Sequence, residues 1–179
     1  MAHITTGVEY GLHCLLFLVD PLAEQRVASV RDLADLQGVS VEYVAKLFTK
    51  LQKAGLVVAS EGAHGGFRLA RPAAGISVLD VVHAIDGEKP LFECREIRGR
   101  CAVFEDKPID WATQEVCSIH AIMLEAESRM RETLAARTLA DIAAAVAAKT
   151  PPVVGQQIAR WLAGRAPGAK RVREDGSRA

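Results

Sequence analysis

The sequence predicts a mainly α-helical fold with one small β-hairpin and a long C-terminal helix. In the first third of the chain, two short amphipathic helices are joined by a turn at 37–40. The helical period then gives way to a β-branched run, a glycine-rich turn and a second extended run. Two helices joined in this way form a helix-turn-helix, and the hairpin that follows them is a wing. We therefore predict a winged helix-turn-helix.

The first helix is predicted over residues 6–19. Thr6 and Glu9 have the spacing of a capping box, and an Asp-Pro pair ends the helix. Cys14 lies among leucines and is predicted to be a buried thiol. The inward positions recur at helical spacing: Val8, Leu12, Leu15, Leu16 and Val19.

The two helices of the helix-turn-helix begin at serines that are typical N-caps. Ser29, with Asp32 as its capping partner, opens a helix that ends before Gly38. Ser40 opens the next helix, which runs to Ala54. This second helix is the candidate recognition helix.

The wing is predicted over residues 56–69. LVVAS is short and β-branched, EGAHGG forms a tight turn, and FRL resumes extended structure. The turn holds His64, Gly65 and Gly66, with Arg68 behind it. The glycines allow a close approach to a sugar–phosphate backbone, or they serve a turn that needs a positive φ.

The C-terminal half is predicted to be helical apart from one irregular segment. Ser77 and Asp80 cap a fourth helix that reaches about Ile85, and residues 88–116 are polar and irregular. A long amphipathic helix then runs from about 116 to 136. Its apolar stripe consists of Ile119, Ile122, Met123, Ala126, Met130 and Leu134.

The last elements are shorter. Thr138 and Asp141 cap a helix that ends near Lys149. One more helical turn is expected at about Ile158–Leu162, and the end of the chain is expected to be disordered.

The composition is that of an ordinary globular protein, with 50% hydrophobic and 25% charged residues and a net charge of zero. This balance argues against a protein that coats nucleic acid by charge alone, so a local basic face is needed. The longest apolar run, Cys14–Val19, is too short to span a bilayer, and no leader pattern precedes it. We expect a cytoplasmic protein without a membrane segment. No glycine-rich phosphate loop, nucleophile elbow or paired-carboxylate pattern indicates an enzyme.

The outward face of the candidate recognition helix carries Tyr43, Lys46, Lys50 and Lys53 at helical spacing. A helix that enters the major groove has this arrangement, with its N-terminus at bases and phosphates and cations further along. A solvated lysine face on an ordinary surface helix has the same pattern, but the wing favours DNA. The predicted DNA contacts are Ser29, Ser40, Tyr43, Lys46, Lys50, His64, Gly65, Gly66 and Arg68.

Four motifs carry a family resemblance: VEYGLHCL, VSVEYVAKLFTKLQKAGLV, GGFRLARP and ISVLDVVHAIDG. With them the chain resembles the IscR/NsrR/CymR regulators of the Rrf2 family over about residues 4–149. The resemblance implies a sequence-specific transcription regulator, expected to be a repressor. It also implies a homodimer on a palindromic double-stranded DNA operator, with the long helix as the dimer interface.

Four segments follow from this interpretation. Residues 1–87 form the DNA-binding domain, 88–116 form a cysteine-containing sensor loop, and 117–149 form the dimerisation helix with a short helix. Residues 150–179 form a mostly disordered tail.

Three of the four cysteines are candidates for a metal site. Cys94 and Cys101 lie in the sensor loop, and Cys117 stands at the start of the long helix. In a reducing compartment, three cysteines near one dimer interface suit an iron–sulfur cluster with a fourth, non-cysteine ligand. The gaps of six and fifteen residues are wide for structural zinc, which recruits pairs two to four residues apart.

The resemblance leaves the ligand set open. Cys94 and Cys117 match the cluster-bearing members best, whereas the longer second gap departs from the family and leaves the role of Cys101 undecided. Glu9 corresponds to a position from which nitric-oxide and redox sensors supply a carboxylate across the dimer, although it is also the predicted capping partner of Thr6. His120 resembles the end of the Cys-x-x-His motif of the iron–sulfur biogenesis regulator.

The cluster could hold two or four irons, and three cysteines with Glu9 would suit four. It would sense redox state, nitric oxide or iron. The alternative is a cluster-free member of the family that responds to a thiol signal, a metabolite or a partner protein.

Overall fold

The computed structural model of the chain describes residues 4–19, 26–60, 65–100, 102–104 and 114–165. The predicted mainly helical fold is confirmed, since these residues form seven α-helices and one two-stranded antiparallel sheet. The elements are α1 (Thr6–Leu18), α2 (Val30–Gln37), α3 (Val41–Lys53), β1 (Val57–Ser60), β2 (Gly66–Leu69), α4 (Val78–Asp86), α5 (Ser118–Ala135), α6 (Leu139–Lys149) and α7 (Pro152–Gly164).

The helix-turn-helix is α2 and α3, and both predicted caps are confirmed. The Ser29 hydroxyl accepts the Asp32 N–H at 3.1 Å and donates to the Asp32 carboxylate at 2.6 Å. Gly38, with a φ of 65°, ends α2 in the left-handed region that favours glycine. The Ser40 hydroxyl accepts the Tyr43 N–H at 3.2 Å and starts α3. The turn between the two helices therefore follows from local chemistry.

The wing is the β1–β2 hairpin, in which Val57 lies opposite Leu69 and Ser60 opposite Gly66. Ala28, the residue before the α2 cap, pairs with β2 from outside. The Phe67 N–H donates to the Ala28 carbonyl at 2.8 Å, and the Ala28 N–H donates back at 3.1 Å. The wing is thereby attached to the start of the helix-turn-helix. The tip, residues 61–64 with His64, lies outside the described residues.

The core lies between the helix-turn-helix, α1 and α4. Cys14 is fully buried, as predicted, and burial raises the pKa of its thiol to about 12. The C-terminal half also reaches this core, where the Leu139 N–H donates to the Ile76 carbonyl at 2.9 Å and the Val78 N–H donates to the Arg137 carbonyl at 2.8 Å. The largest fully buried side chains are Phe48, Leu15, Leu18, Leu33, Leu51, Leu56, Ile76, Leu139, Val8, Val44, Val57 and Val81.

The predicted capping boxes of the later helices are present. Ser77 with Asp80 starts α4, and Thr138 with Asp141 starts α6. In each case the side chain of the cap accepts a backbone N–H and the acid accepts the N–H of the cap residue.

The predicted capping box of α1 is wrong. The N-cap is Thr5, and no side-chain cap closes the helix. The hydroxyl of Thr5 instead donates to the Asp86 carboxylate at 2.6 Å, and its N–H donates to the same group at 2.8 Å. Asp86, at the end of α4, takes the place of a capping acid within α1. Glu9 is therefore exposed on α1 and is not needed for capping.

The C-terminal helices extend beyond the core. None of the 18 residues that the structure describes in α5 is buried, and Ile119 and Ile122 are 63% and 64% exposed. Helix α7 contains 13 residues where only a turn was predicted, so the expectation of a mostly disordered tail is wrong for 152–164. Leu162 packs against the core, which stabilises a helix that the local pattern only weakly indicates. No helix of the described residues is both long and apolar enough to cross a membrane.

Candidate functional site

Helix α3 presents the residues predicted to read DNA. Its buried side consists of Val44, Leu47, Phe48 and Leu51. Ser40 and Lys46 are exposed on the other side. Ser40 also marks the N-terminus of the helix, where unpaired N–H groups favour an anion. The exposed side of α3 therefore combines hydrogen-bonding groups at one end with a cation one and a half turns away.

Two further predicted contacts on α3 have partners within the chain. The Lys50 ammonium donates to the Ile85 carbonyl at 2.6 Å, which places a cation at the C-terminal end of α4. The Tyr43 ring is half-buried and meets the edge of Tyr10 with centroids 5.5 Å apart. Tyr43 is held in place by α1, and Lys50 stabilises the α3–α4 packing.

The base of the wing touches the N-terminus of α2. A Cβ added at Gly66 would lie 2.5 Å from the Ala28 carbonyl oxygen and 3.0 Å from the Ser29 nitrogen. Among the described glycines, positive φ values occur at 38, 55 and 87, so the alternative interpretation of Gly66 as a turn residue with a positive φ is wrong. Its lack of a side chain is needed for close backbone approach, and Ser29 and Gly66 share one surface.

The wing is also fixed to the recognition helix. The ring of Phe67 on β2 lies against the ring of Phe48 on α3, with centroids 5.0 Å apart and planes at 60°. This edge-on contact in the core is the favourable geometry for two aromatic rings. The wing, α2 and α3 are therefore held in one arrangement by backbone pairing and by a buried aromatic contact.

The arginines behind the wing differ in role. Arg68 is half-buried and donates to the Leu69 carbonyl at 3.4 Å. Arg71 donates to the Gly75 carbonyl at 2.7 Å and to the Asp80 carboxylate at 3.1 Å. Burial raises the pKa of Asp80, but hydrogen bonds from Ser77 and the charge of Arg71 outweigh it and lower that pKa below its ordinary value. Arg71 thus supports the start of α4.

The two best candidate cluster ligands, Cys94 in the sensor loop and Cys117 at the start of α5, lie near Arg98. Cys94 and Cys117 are half-buried free thiols, and Cys101 lies outside the described residues. Hydrogen bonds to Glu96 raise the pKa of Arg98 and outweigh desolvation, which lowers it, and the charge of Glu96 and smaller electrostatic contributions from Cys117 and Cys94 act in the raising direction. Arg98 therefore lies within electrostatic range of both cysteines.

Arg98 also closes the loop. It donates to both Glu96 oxygens, at 2.6 and 2.7 Å, and to the Glu115 carbonyl at 2.8 Å. Glu96 has a φ of 44°, which is uncommon for a residue other than glycine. The bond to Glu115 joins the stretch before Arg98 to the stretch that leads into Cys117. Sequence analysis missed this residue because its partners are 2 and 17 positions away, without a repeating pattern.

His120 and Glu9, the alternative fourth ligands, occupy different places. The His120 ring lies beside Phe92, with centroids 6.0 Å apart, in the first turn of α5 after Cys117. Glu9 lines an apolar groove of about 520 Å³ between α1, α4 and α6. Among the described residues, no group of three or more His, Cys, Asp or Glu side chains is placed to hold a metal.

The thiols of Cys94 and Cys117 are the described donors available to an iron–sulfur cluster. Two thiols beside a cation provide soft, negatively charged ligands of the kind that a cluster selects. They are half of the four ligands that such a cluster needs, so Cys101 or a group from a second protomer has to complete the set. The thiols of Cys94 and Cys117 therefore fit part of the ligand set of a cluster.

The wing, the helix-turn-helix and the exposed face of α3 define a winged-helix DNA-binding protein. A family model, Rrf2, described as an iron-dependent transcriptional regulator, matches residues 4–145. The chain belongs to this family of transcriptional regulators, which are not enzymes and which bind DNA, typically as dimers. The resemblance to the Rrf2 family that the sequence motifs indicate is confirmed.

Individual relatives agree with this assignment. "Protein rrf2" of Nitratidesulfovibrio vulgaris is 37% identical over 139 residues, which cover 78% of this chain and 85% of that protein. The structure is similar to T. potens IscR, with 26% identity and a TM-score of 0.57 over 78% of this chain and 84% of that one. It also shares its fold with CymR, the global cysteine regulator of B. subtilis, with 23% identity and a TM-score of 0.59 over 80% and 98% of the two chains.

Proposed function

We propose that the chain is a homodimeric repressor that binds a palindromic operator in double-stranded DNA, and that an iron–sulfur cluster controls this binding. The observation that carries the DNA-binding part is the contact of Gly66 with the Ser29 backbone. Because Phe67 also packs on Phe48 of α3, three separate stretches of predicted DNA contacts are held together. In this proposal residues 1–87 bind DNA, 88–116 sense the signal and 117–149 form the dimer.

The recognition helix enters the major groove with its N-terminus first. Ser40 and Tyr43 then lie near base edges, and Lys46 reaches a phosphate. The wing brings Gly65, Gly66 and Arg68 to the backbone beside the adjacent minor groove, with His64 at its tip. Lys50 binds DNA only through the part of its ammonium that does not face the Ile85 carbonyl.

A charge-matched pair of variants tests this face. Lys46→Ala should weaken binding about tenfold and lower the dependence on salt by about one ion, because one phosphate contact is lost. Lys89→Ala removes the same charge from an exposed site after α4 and should change affinity by less than about twofold. The probe is a labelled duplex selected by the wild-type protein from a random-sequence library. Equal losses in both variants would contradict the proposed face.

The dimer interface is proposed from two unpartnered apolar surfaces. Ile119 and Ile122 leave more than half of their surface exposed at the start of α5. The groove between α1, α4 and α6 is lined mainly by aliphatic side chains. A second copy that places the start of its α5 in this groove would bury both surfaces, which are costly to leave in water.

Sedimentation analysis tests the dimer. Ile122→Glu should shift the protein to monomer at micromolar concentration, because it places a charge in the apolar contact. Leu124→Glu introduces the same charge two residues away, on another face of α5, and should leave the dimer intact. A dimeric Ile122→Glu variant would exclude this interface.

The same arrangement supports the cluster. The start of α5 carries Cys117, and Glu9 lines the groove that the second protomer would fill. Cys94 and Cys117, with Cys101, would bind iron, Arg98 would balance the negative charge, and Glu9 or His120 would complete the set. When bound, the cluster would supply a centre sensitive to oxidation, nitrosylation or iron loss, and Cys94 and Cys117 would tie the sensor loop and the start of α5 to it. A change at that centre would shift α5 and the spacing of the two recognition helices on the operator.

Anaerobic purification with visible and Mössbauer spectroscopy tests the cluster. A coloured protein is expected, with spectra that distinguish two irons from four. A Cys94→Ala, Cys117→Ala double variant should lose the iron, whereas Cys14→Ala should keep it because Cys14 lies in the core. If the double variant and the wild type responded alike to an oxidant in DNA binding, the coupling would be refuted.

A cluster-free, thiol-responsive regulator is the second candidate. It is favoured by the free thiols of Cys94 and Cys117 and by the absence, among the described residues, of a group of three metal ligands. A colourless, iron-free protein whose DNA affinity still changes on thiol oxidation would support this candidate.

A further inference from the structure

Helix α7 lies beyond the stretch of chain that the family model matches, and its end contacts the helix-turn-helix. The Arg165 Nε donates to the Asp32 carboxylate at 2.6 Å, and its Nη2 donates to the Asp35 carboxylate. The guanidinium also stacks on the Trp161 ring, 4.4 Å from its centre. An arginine fork held by two acids and an aromatic face is oriented more firmly than a lone surface cation.

The two acids lie on α2, next to a predicted DNA contact. The second oxygen of Asp32 accepts the Ser29 hydroxyl at 2.6 Å. A phosphate that approaches Ser29 or the first N–H groups of α2 therefore comes within about 6 Å of a carboxylate. Asp35 stands one turn further along the same helix. Left unpaired, the two carboxylates would oppose a DNA backbone at this place.

We infer that Arg165 is a positioning residue for DNA binding, placed by α7 on Asp32 and Asp35 so that the acidic side of α2 does not repel the phosphate backbone. This inference rests on the proposed DNA-binding face. It assigns α7 a supporting role in operator binding, through charge rather than through a contact with DNA. The half-buried pair, with side-chain exposures of 35% for Arg165 and 18% for Asp32, is less screened by salt than a fully exposed one.

If α7 instead covered the DNA-binding face, its release would have the opposite effect on DNA affinity. If the helix hindered the approach of DNA, its release would strengthen binding, whereas an exposed, unpaired acid pair weakens it. A purely mechanical brace is distinguished by a compensating variant. Removal of Asp35 in a protein that lacks Arg165 relieves repulsion, but it cannot restore a lost attachment.

The experiment measures the affinity of full-length variants for the labelled duplex selected by the wild-type protein, from low to moderate salt. Arg165→Ala should weaken binding about five- to tenfold at low salt, and the gap should shrink to about twofold at moderate salt. Arg165→Lys should stay within about twofold of wild type. Arg165→Ala, Asp35→Asn should recover to within about threefold. Arg160→Ala, which removes an exposed cation of α7 without a partner among the described residues, should have no effect beyond about twofold.

Other results would contradict either the inference about Arg165 or the proposed function on which it rests. Unchanged or tighter binding by Arg165→Ala overturns the inference, and so does a double variant that shows no recovery. Loss of affinity in Lys46→Ala together with an unaffected Arg165→Ala would keep the proposed face and reject the role of α7. If the wild-type protein enriches no duplex, the proposed function fails, and the role of Arg165 fails with it.

Discussion

Gly66 is the residue at which the wing, α2 and Ala28 meet, and Gly66→Ala tests how closely they are packed. The added methyl carbon would lie 2.5 Å from the Ala28 carbonyl oxygen and 2.7 Å from its carbonyl carbon. Both neighbours belong to the backbone carbonyl of Ala28, whose oxygen accepts the Phe67 N–H, so a rotamer change gives no relief. The extended segment at Ala28 or the base of the hairpin has to move.

The magnitude follows from the cost of overpacking. Forced backbone shifts in a packed region cost about 1–3 kcal/mol. For a domain of this size, each kcal/mol lowers the melting temperature by about 2–4 °C. We therefore expect Gly66→Ala to melt about 2–12 °C below the wild type. Operator affinity should fall as well, because the wing and the start of α2 move apart.

Gly155 provides the matched control. It lies within α7, and a Cβ there meets nothing within 4 Å. Alanine in a helix is favoured over glycine by up to about 1 kcal/mol, so Gly155→Ala should melt at or slightly above the wild-type temperature. Differential scanning calorimetry measures both variants. Equal melting temperatures for Gly66→Ala and the wild type would refute the close approach of the wing to α2.

Three further predictions concern other parts of the fold. In thiol labelling of the native protein, Cys94 should react with a maleimide, whereas Cys14 should react only after unfolding, because it is fully buried and its pKa is raised to about 12. The lowered pKa of Asp80 means that its stabilisation is complete above its ordinary pKa and is lost as pH falls through the folded value. Urea titrations in acid should therefore show a steeper loss of stability in the wild type than in Asp80→Asn. Lys50→Ala should lower the melting temperature by about 2–4 °C through the lost bond to α4, and Lys46→Ala should not.

The winged helix was predicted from sequence because its determinants are local. Ser29, Ser40, Ser77 and Thr138 each start a helix with an acceptor for the N–H three residues further on. Such bonds depend on the neighbouring sequence, and the rest of the chain rarely changes them. The glycine-rich turn between the two extended runs of the wing was also apparent from the sequence.

The errors arose where a distant residue decided the local structure. Thr5 bonds to Asp86, 81 positions away, and this contact displaced the predicted box at Thr6. Arg165 bonds to Asp32, 133 positions away, which helps to explain a full helix where the pattern indicated one turn. The bond of Lys50 to a carbonyl 35 residues further along the chain was likewise missed, while its DNA contact stays a prediction. Periodicity contains no information about such partners.

The end of α4 is where these long-range contacts converge. Asp86 binds Thr5 of α1, and the Ile85 carbonyl binds Lys50 of the recognition helix. Glu88, two residues later, pairs with Arg131 of α5 at 2.7 Å.

The sensor loop begins at this junction, and the Leu91 N–H donates to the Glu127 carboxylate of α5 at 2.9 Å. A displacement of α5 by the loop would therefore act directly on the end of α4. That end bonds to the recognition helix through Lys50, so under the proposed function these surface contacts connect the cysteines to the DNA-binding face. Surface ion pairs and hydrogen bonds rearrange at lower cost than a close-packed interior, which suits a regulator whose two states have to be close in free energy.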